Sequence, residues 1–208
     1  KVITIYNTQM INLILKVLAG ICLIAISPLI FISIFFVIIE DGFPAIFVQE
    51  RLGKNLKIFK IYKIRTMYQN TPNLGTHEVS LSNYLKIGSI LRKLKIDELP
   101  QVINFIKGDI NLIGPRPGLP SQIKLKEFRL KNSIFNITPG ITGLGQVLGY
   151  DMSNPEQLAQ IDALYIQNKS VKIDLMIFIA TFLNLYKTKL SIIFIEEINR
   201  IKSKEYNV

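Results

Sequence analysis

The longest uninterrupted apolar stretch in the chain runs from Val17 to Ile39, with Ser27-Pro28 at its middle. As a helix rising about 1.5 Å per residue, such a run is long enough to cross a bilayer's hydrocarbon. It does not read as a signal peptide, because no small-residue cleavage site or mature-domain start follows it. Pro28 removes a helix hydrogen bond and kinks the helix, and the Ser27 hydroxyl can re-satisfy a freed carbonyl. Two structures fit the pattern: a kinked transmembrane helix, or a helix-break-helix hairpin that enters and leaves on one face. They place residues 1–10 on opposite sides.

After Glu40-Asp41-Gly42 the pattern shortens. Ala45–Glu50 and Leu56–Thr66 predict two strands around a Gly53-Lys54-Asn55 turn, a small antiparallel hairpin. On the second strand Lys63 and Arg65 lie two apart and share a face. Residues 68–83 form a polar stretch that predicts a loop. Tyr84–Lys95 places Leu85, Ile87, Ile90, Leu91 and Leu94 among Lys and Arg, which predicts an amphipathic helix for the membrane interface or for an ordinary core. Val171–Lys202 predicts a second long helical region, starting near Asp174 and very apolar through Leu185, as core or as another interfacial helix. Residues 203–208 predict a frayed tail. The fold class is therefore α-rich α+β, with a membrane element over 1–42 and a second domain over 43–208.

Charge sharpens this picture. The 208 residues hold 25 Lys and Arg against 15 Asp and Glu, and 49% are hydrophobic. A chain both apolar and basic suits an anionic membrane face. No basic helix or aromatic RNA-binding motif is present, which argues against nucleic acid. Between Phe47 and Lys95 ten basic residues face only Glu50 and Glu78, so the positive-inside tendency makes this side cytoplasmic. Cys22 is the only cysteine and His77 the only histidine. An intramolecular disulfide is impossible and a structural zinc site is not expected. Any catalytic metal should be hard and oxygen-ligated, with Mg2+ first in line.

The densest chemical signal is Asp97-Glu98-Leu99-Pro100-Gln101, leading through Asn104 to Lys107-Gly108-Asp109. Pro100 suits a first helical turn and Gly108 a helix end. This predicts a helix of roughly ten residues with Asp97 and Glu98 at its N-terminus. A helix N-terminus attracts phosphate and holds carboxylates ionised. Two adjacent carboxylates there can bind Mg2+ and supply one nucleophile or base. The plainer alternative makes Asp97 an N-cap and Glu98 a favourable first-turn residue. Next comes Gly114-Pro115-Arg116-Pro117-Gly118, in which each proline holds its predecessor extended. Arg116 on so stiff a loop can clamp a phosphate bidentately. Thr138-Pro139-Gly140-Ile141-Thr142-Gly143-Leu144-Gly145-Gln146 lacks Gly-Lys-Ser/Thr and is no P-loop. Its glycines allow close backbone approach to a ligand, or tight turns.

Taken together, these segments resemble the bacterial sugar transferase family, the monotopic phosphoglycosyl transferases that start glycan assembly on polyprenol phosphate. The likeness runs from about Ile11 to about Leu185. It includes Gln49-Glu50-Arg51-Leu52-Gly53-Lys54, Phe59 through Met67, Arg92 through Gln101, Lys107-Gly108-Asp109, Gly114-Pro115-Arg116-Pro117 and Pro139-Gly140-Ile141-Thr142-Gly143. The resemblance implies a re-entrant membrane hairpin broken at Ser27-Pro28, with interfacial helices around a cytoplasmic-face domain at the bacterial inner membrane. It implies Asp97 as nucleophile, Glu98 as its partner, and Mg2+ at the pair. The implied reaction moves a phosphosugar from a UDP-sugar to undecaprenyl phosphate and releases UMP, through a covalent aspartyl intermediate. Lys63, Arg92 and Arg116 match basic positions near the phosphates, and Asp162 and Asp174 match acidic ones. Arg65, Pro115 and Gln146 complete the expected substrate-binding set. Membrane lipids, a second copy and downstream glycosyltransferases are the expected partners.

Two departures stand out. The turn before the membrane run reads Ile11-Asn12-Leu13-Ile14-Leu15, so the family's polar anchor is missing or replaced by Asn12 and Lys16. After Gly149 the chain reads Tyr150-Asp151-Met152 where many members have Arg-Asn. Without the extra N-terminal spans of larger members, the chain reads as a minimal catalytic unit. The rivals are a UDP-sugar enzyme that moves the sugar without phosphate and a basic lipid-binding scaffold. The first releases UDP, and the second releases no nucleotide.

Overall fold

The computed structural model describes residues 2–71 and 80–203. His77, half of the loop expected at 68–83, and residues 204–208 of the expected tail lie outside them. The described chain is helix-rich with two small two-stranded sheets. It divides into two compact units: Lys1–Gln49 with Lys60–Asp109, and Glu50–Phe59 with Ile110–Val208.

The first unit is built on α1 (Val2–Asp41), which carries Pro28 in its interior. Pro28 has no N–H to offer the carbonyl of Ile24, and the Ser27 hydroxyl donates to that carbonyl at 2.7 Å. The helical run continues through Pro28, so the break expected there does not interrupt it. Leu13–Asp41 is the one helix among the described residues long and apolar enough to cross a membrane. Ile30, Ile34, Val37 and Ile38, spaced for one helical face, pack on Ala45, Ile64, Leu85 and Leu91. Phe31, Phe35, Phe36 and Ile39 on the other faces are exposed, uncovered by protein.

The end of α1 is fastened twice. Gly42, at φ +68, ends the helix in the left-handed region that glycine adopts without strain. The Glu40 carboxylate accepts from the backbone N–H groups of Lys86 (2.6 Å) and Ile87 (3.0 Å), at the start of α2 (Lys86–Lys93). Leu85, at the cap position of α2, offers no side-chain bond. The cap therefore comes from α1, and its negative charge meets the positive helix end. The helix expected over 84–95 is shorter, and its apolar residues divide: Leu85 and Leu91 are buried, Ile90 and Leu94 exposed. The hairpin strands are β1 (Ile46–Leu52) and β2 (Ile58–Ile64), joined through a 3-10 turn at Lys54–Leu56. The turn forms where expected, and Gly53 N–H donates to the Lys57 carbonyl at 2.8 Å.

The second unit surrounds α6 (Pro155–Gln167), which starts with Asn154 Oδ1 accepting from Gln157 N–H at 3.1 Å and with Pro155 in its first turn. Ile161, Leu164 and Tyr165 of α6 form the core with Ile173, Ile177, Leu190 and Phe194. The region expected as one long helix is three: α7 (Val171–Ala180), α8 (Asn184–Ile193) and α9 (Ile195–Ser203). Both core and exposed apolar positions occur in it, since Leu175, Phe178, Phe182, Leu183 and Leu185 remain exposed. A second sheet was not expected: β3 (Asn111–Ile113) pairs in parallel with β4 (Gly140–Thr142), Asn111 opposite Gly140 and Ile113 opposite Thr142.

Candidate active site

Asp97 and Glu98 lie in a 3-10 turn, Ile96–Glu98, rather than in the helix that follows. That helix, α3 (Gln101–Lys107), has seven residues, with Pro100 at its cap position and no side-chain cap bond. So the longer helix expected from Asp97 onward is corrected, and Asp97 is not its N-cap. The physical cause is local. Lys95 adopts φ +58, which ends the preceding helical segment and turns the chain into the dyad. Pro100 then brings no N–H. The other end forms as expected, with Gly108 at φ +83.

The two carboxylates are not equivalent. Asp97 is buried, 5% exposed. Glu98 accepts from Lys63 Nζ at 2.8 Å, as a half-buried ion pair. Asn104 fixes the strand and helix that carry this arrangement. Fully buried, it donates to the Lys60 carbonyl (2.7 Å) and to Asp109 Oδ2 (3.2 Å), and accepts from Tyr62 N–H (3.2 Å). Lys63 on β2 is thereby held in register with the turn bearing Glu98. Arg92 places its guanidinium over the Tyr84 ring, 4.8 Å from the centroid. Arg65, expected beside Lys63, points elsewhere. It lies beyond the end of β2, is buried, and donates to the carbonyls of Asp41 (3.1 Å) and Gly42 (2.7 Å) while pairing with Asp41 Oδ2 at 3.0 Å. It secures the end of α1.

The second unit holds the other expected residues. The Pro115-Arg116-Pro117 loop has its carbonyls taken one after another. That of Pro115 accepts from Gly140 N–H (3.0 Å), that of Arg116 from Arg129 Nη1 (2.8 Å), that of Pro117 from Arg51 Nη1 (3.0 Å) and that of Gly118 from Leu52 N–H (2.9 Å). Pro115, Pro117 and Gly118 are buried, and Arg116 between them is half-exposed. The glycines serve this loop. A Cβ on Gly140 would stand 2.1 Å from Gly114 N, and one on Gly143 2.2 Å from Gly114 O. The close approach expected of them is to the loop backbone.

Asp162 is buried and accepts from Arg129 Nε (3.0 Å) and Nη2 (2.6 Å). Burial pushes its carboxyl above the usual carboxylate range, against the pull of Arg129. Asp174 accepts from the Tyr165 hydroxyl at 2.7 Å, and burial together with that bond pushes the phenol up. Gln146 donates to the Ile141 carbonyl at 3.0 Å, and its Oε1 is buried without a hydrogen bond. Arg129 was missed because α4 (Ile123–Lys131) reads as an ordinary charged surface helix. A signal existed in α6, where Asp162 falls among Leu158, Ile161 and Tyr165 on the apolar stripe and so requires a cationic partner.

The first unit thus carries a buried carboxylate beside a lysine-held one, and the second, by itself, a rigid arginine loop. In comparison with known proteins, the family profile described as bacterial sugar transferase matches residues 7–188. The chain belongs to the bacterial sugar transferase family. Among its relatives, the UDP-N-acetylgalactosamine-undecaprenyl-phosphate N-acetylgalactosaminephosphotransferase of Aeromonas hydrophila is 35% identical over 162 residues, covering 74% of this chain and 38% of the relative. The uncharacterized sugar transferase EpsL of Bacillus subtilis is 36% identical, covering 74% of this chain and 76% of the relative. The UDP-glucose:undecaprenyl-phosphate glucose-1-phosphate transferase of Caulobacter vibrioides is 33% identical, covering 84% and 69%. The chain thus spans under two-fifths of the Aeromonas relative, and between two-thirds and four-fifths of the other two.

Proposed function

We propose that the chain transfers a phosphosugar from a UDP-sugar to undecaprenyl phosphate, giving a polyprenyl-diphosphate-linked sugar and UMP, at the first membrane step of glycan assembly. The observation that carries this reading is the asymmetry of the dyad within a sugar transferase: Asp97 buried, Glu98 held by Lys63. An Asp97 carboxylate oxygen attacks the sugar-bearing phosphorus, the diphosphate P–O bond breaks, and UMP leaves. An oxygen of undecaprenyl phosphate then attacks the same phosphorus and frees the carboxylate. Glu98, neutralised by Lys63, adds little repulsion to an anionic substrate. Arg92, in the same unit as the dyad, offsets phosphate charge, and Arg116 of the second unit is a phosphate-binding residue in its own right.

Mg2+ belongs to the proposal. Among the described residues no cluster of three or more His, Cys, Asp or Glu forms a closed metal site. Mg2+ is characteristically held by one or two carboxylates together with substrate phosphate oxygens. Asp97 would hold it, with Glu98 exchanging its Lys63 partner for the ion, and it would withdraw charge from the diphosphate. A panel of UDP-sugars, including the glucose and N-acetylgalactosamine donors named for relatives, is expected to give UMP with at least one member, and excess EDTA is expected to stop it. UDP as the product overturns the phosphosugar reading, and full activity in EDTA overturns the metal.

We also propose the re-entrant topology, with 1–42 embedded in one leaflet and 43–208 on the cytoplasmic face. Straight, Leu13–Asp41 would measure about 44 Å, longer than the roughly 30 Å hydrocarbon core. Residues near both ends of that run meet the same compact unit: Ile34 and Val37 pack in its core, and the Lys16 ammonium lies 3.4 Å from where a Gly108 Cβ would stand. Ser27-Pro28 supplies the weak point between them. A cysteine at residue 5, in a Cys22→Ser background in sealed vesicles, is expected to label from the side of the catalytic domain. Labelling only from the opposite side refutes this.

A further inference from the structure

We infer that Arg129, aimed by Asp162, positions Arg116 for phosphate: one buried guanidinium locks the backbone from which the binding guanidinium projects. The inference rests on the phosphate role of Arg116 proposed above. Pro115 and Pro117 have no N–H, so the loop is anchored through its carbonyls. At Arg116 itself the carbonyl is taken by Arg129 Nη1 at 2.8 Å. The same guanidinium spends Nε and Nη2 on Asp162 Oδ2, at 3.0 and 2.6 Å, so all three of its nitrogens are used. Both side chains are nearly sealed from solvent, 3% and 4% exposed, and both stand on helices.

Three features separate this arrangement from ordinary packing. A buried ion pair is a poor stabiliser against an apolar pair of the same volume, so stability alone does not account for this one. The fork geometry is needed, because only a guanidinium can donate to a carboxylate along one edge and to a carbonyl from its remaining nitrogen. A lysine keeps the charge and loses the second direction. The loop is also held from the other side by Arg51 Nη1 on the Pro117 carbonyl, at 3.0 Å. The backbone around Arg116 is thus gripped by two arginines that do not themselves bear on phosphate in this scheme. Arg129 is a positioning residue.

The test is a double-mutant cycle on the full chain in detergent, with undecaprenyl phosphate and whichever of UDP-glucose or UDP-N-acetylgalactosamine the panel shows to be turned over. Arg129→Lys is expected to raise KM for the UDP-sugar by about ten- to a hundredfold, the scale of a small misplacement of a binding group. Arg116→Ala is expected to do at least as much, and the double variant no more than Arg116→Ala alone. Multiplying losses in the double variant overturn the inference and leave the phosphate role of Arg116 standing. An Arg129→Lys enzyme with a lower melting temperature but unchanged KM and kcat overturns it as well. If Arg116→Ala keeps the wild-type KM, the phosphate role falls and this inference with it. Should Arg129→Lys not fold, Arg129→Gln with Asp162→Asn, which removes both charges together, enters the same cycle.

Discussion

Asp97→Asn is expected to abolish UMP release, by at least about four orders of magnitude, while the protein stays folded and membrane-bound. Asparagine has nearly the volume of aspartate, so a site only 5% exposed keeps its packing. What it loses is the carboxylate oxygen that, in the proposed mechanism, forms the bond to phosphorus, and an amide does not replace such a nucleophile at neutral pH. The loss should appear in the first half-reaction, as absence of a UMP burst before any lipid acceptor is added. Glu98→Gln should be milder. Glu98 sits on Lys63 at 2.8 Å, so its removal unbalances a cation and leaves the attacking group in place. Circular dichroism and co-sedimentation with vesicles check the fold. Turnover retained in Asp97→Asn, with UMP still appearing, would sink the nucleophile assignment.

Much of this site could be read from the chain, and the parts that could not have a common cause. Asp97-Glu98, Arg116 and the apolar run with Ser27-Pro28 are local motifs, legible because neighbours in sequence carry them. Even the hydroxyl repair of the carbonyl freed by Pro28 is local, three residues apart. The difference between the two carboxylates is not, because Lys63 lies 35 residues from Glu98. Strand alternation put Arg65 beside Lys63, but β2 stops at Ile64, and beyond a strand's end the two-residue period no longer fixes direction. Arg65 turns instead to the open carbonyls at the end of α1, where a cation is favoured.

The glycines illustrate the same limit. Their density announces a close approach without saying to what, and the partner proves to be the Gly114 backbone. The parallel pairing of β3 with β4 left no trace in the pattern, because three-residue strands are too short to alternate visibly. Arg129 hid for a related reason: on a helix rich in Lys and Arg, one buried cation looks like its solvated neighbours.

Asp162→Asn is expected to destabilise the protein by about 3–5 kcal/mol, because it leaves the Arg129 charge buried without its counter-ion. For a chain of this size that corresponds to a fall of roughly 10 °C in Tm, measured in detergent. The asparagine still offers a carbonyl oxygen, but a neutral acceptor cannot repay the desolvation of a guanidinium that is 3% exposed. The double replacement Arg129→Met with Asp162→Leu should recover most of the lost stability, since it removes both charges and keeps apolar volume between α4 and α6. It should not recover turnover, because the Arg116 carbonyl then lacks the donor that holds it at 2.8 Å. An unchanged Tm in Asp162→Asn would mean that the pair is more hydrated than its burial indicates. A double variant that is stable and fully active would mean that the prolines alone suffice to fix the loop. The predicted pattern, stability regained without activity, separates what this buried pair does for the fold from what it does for the site.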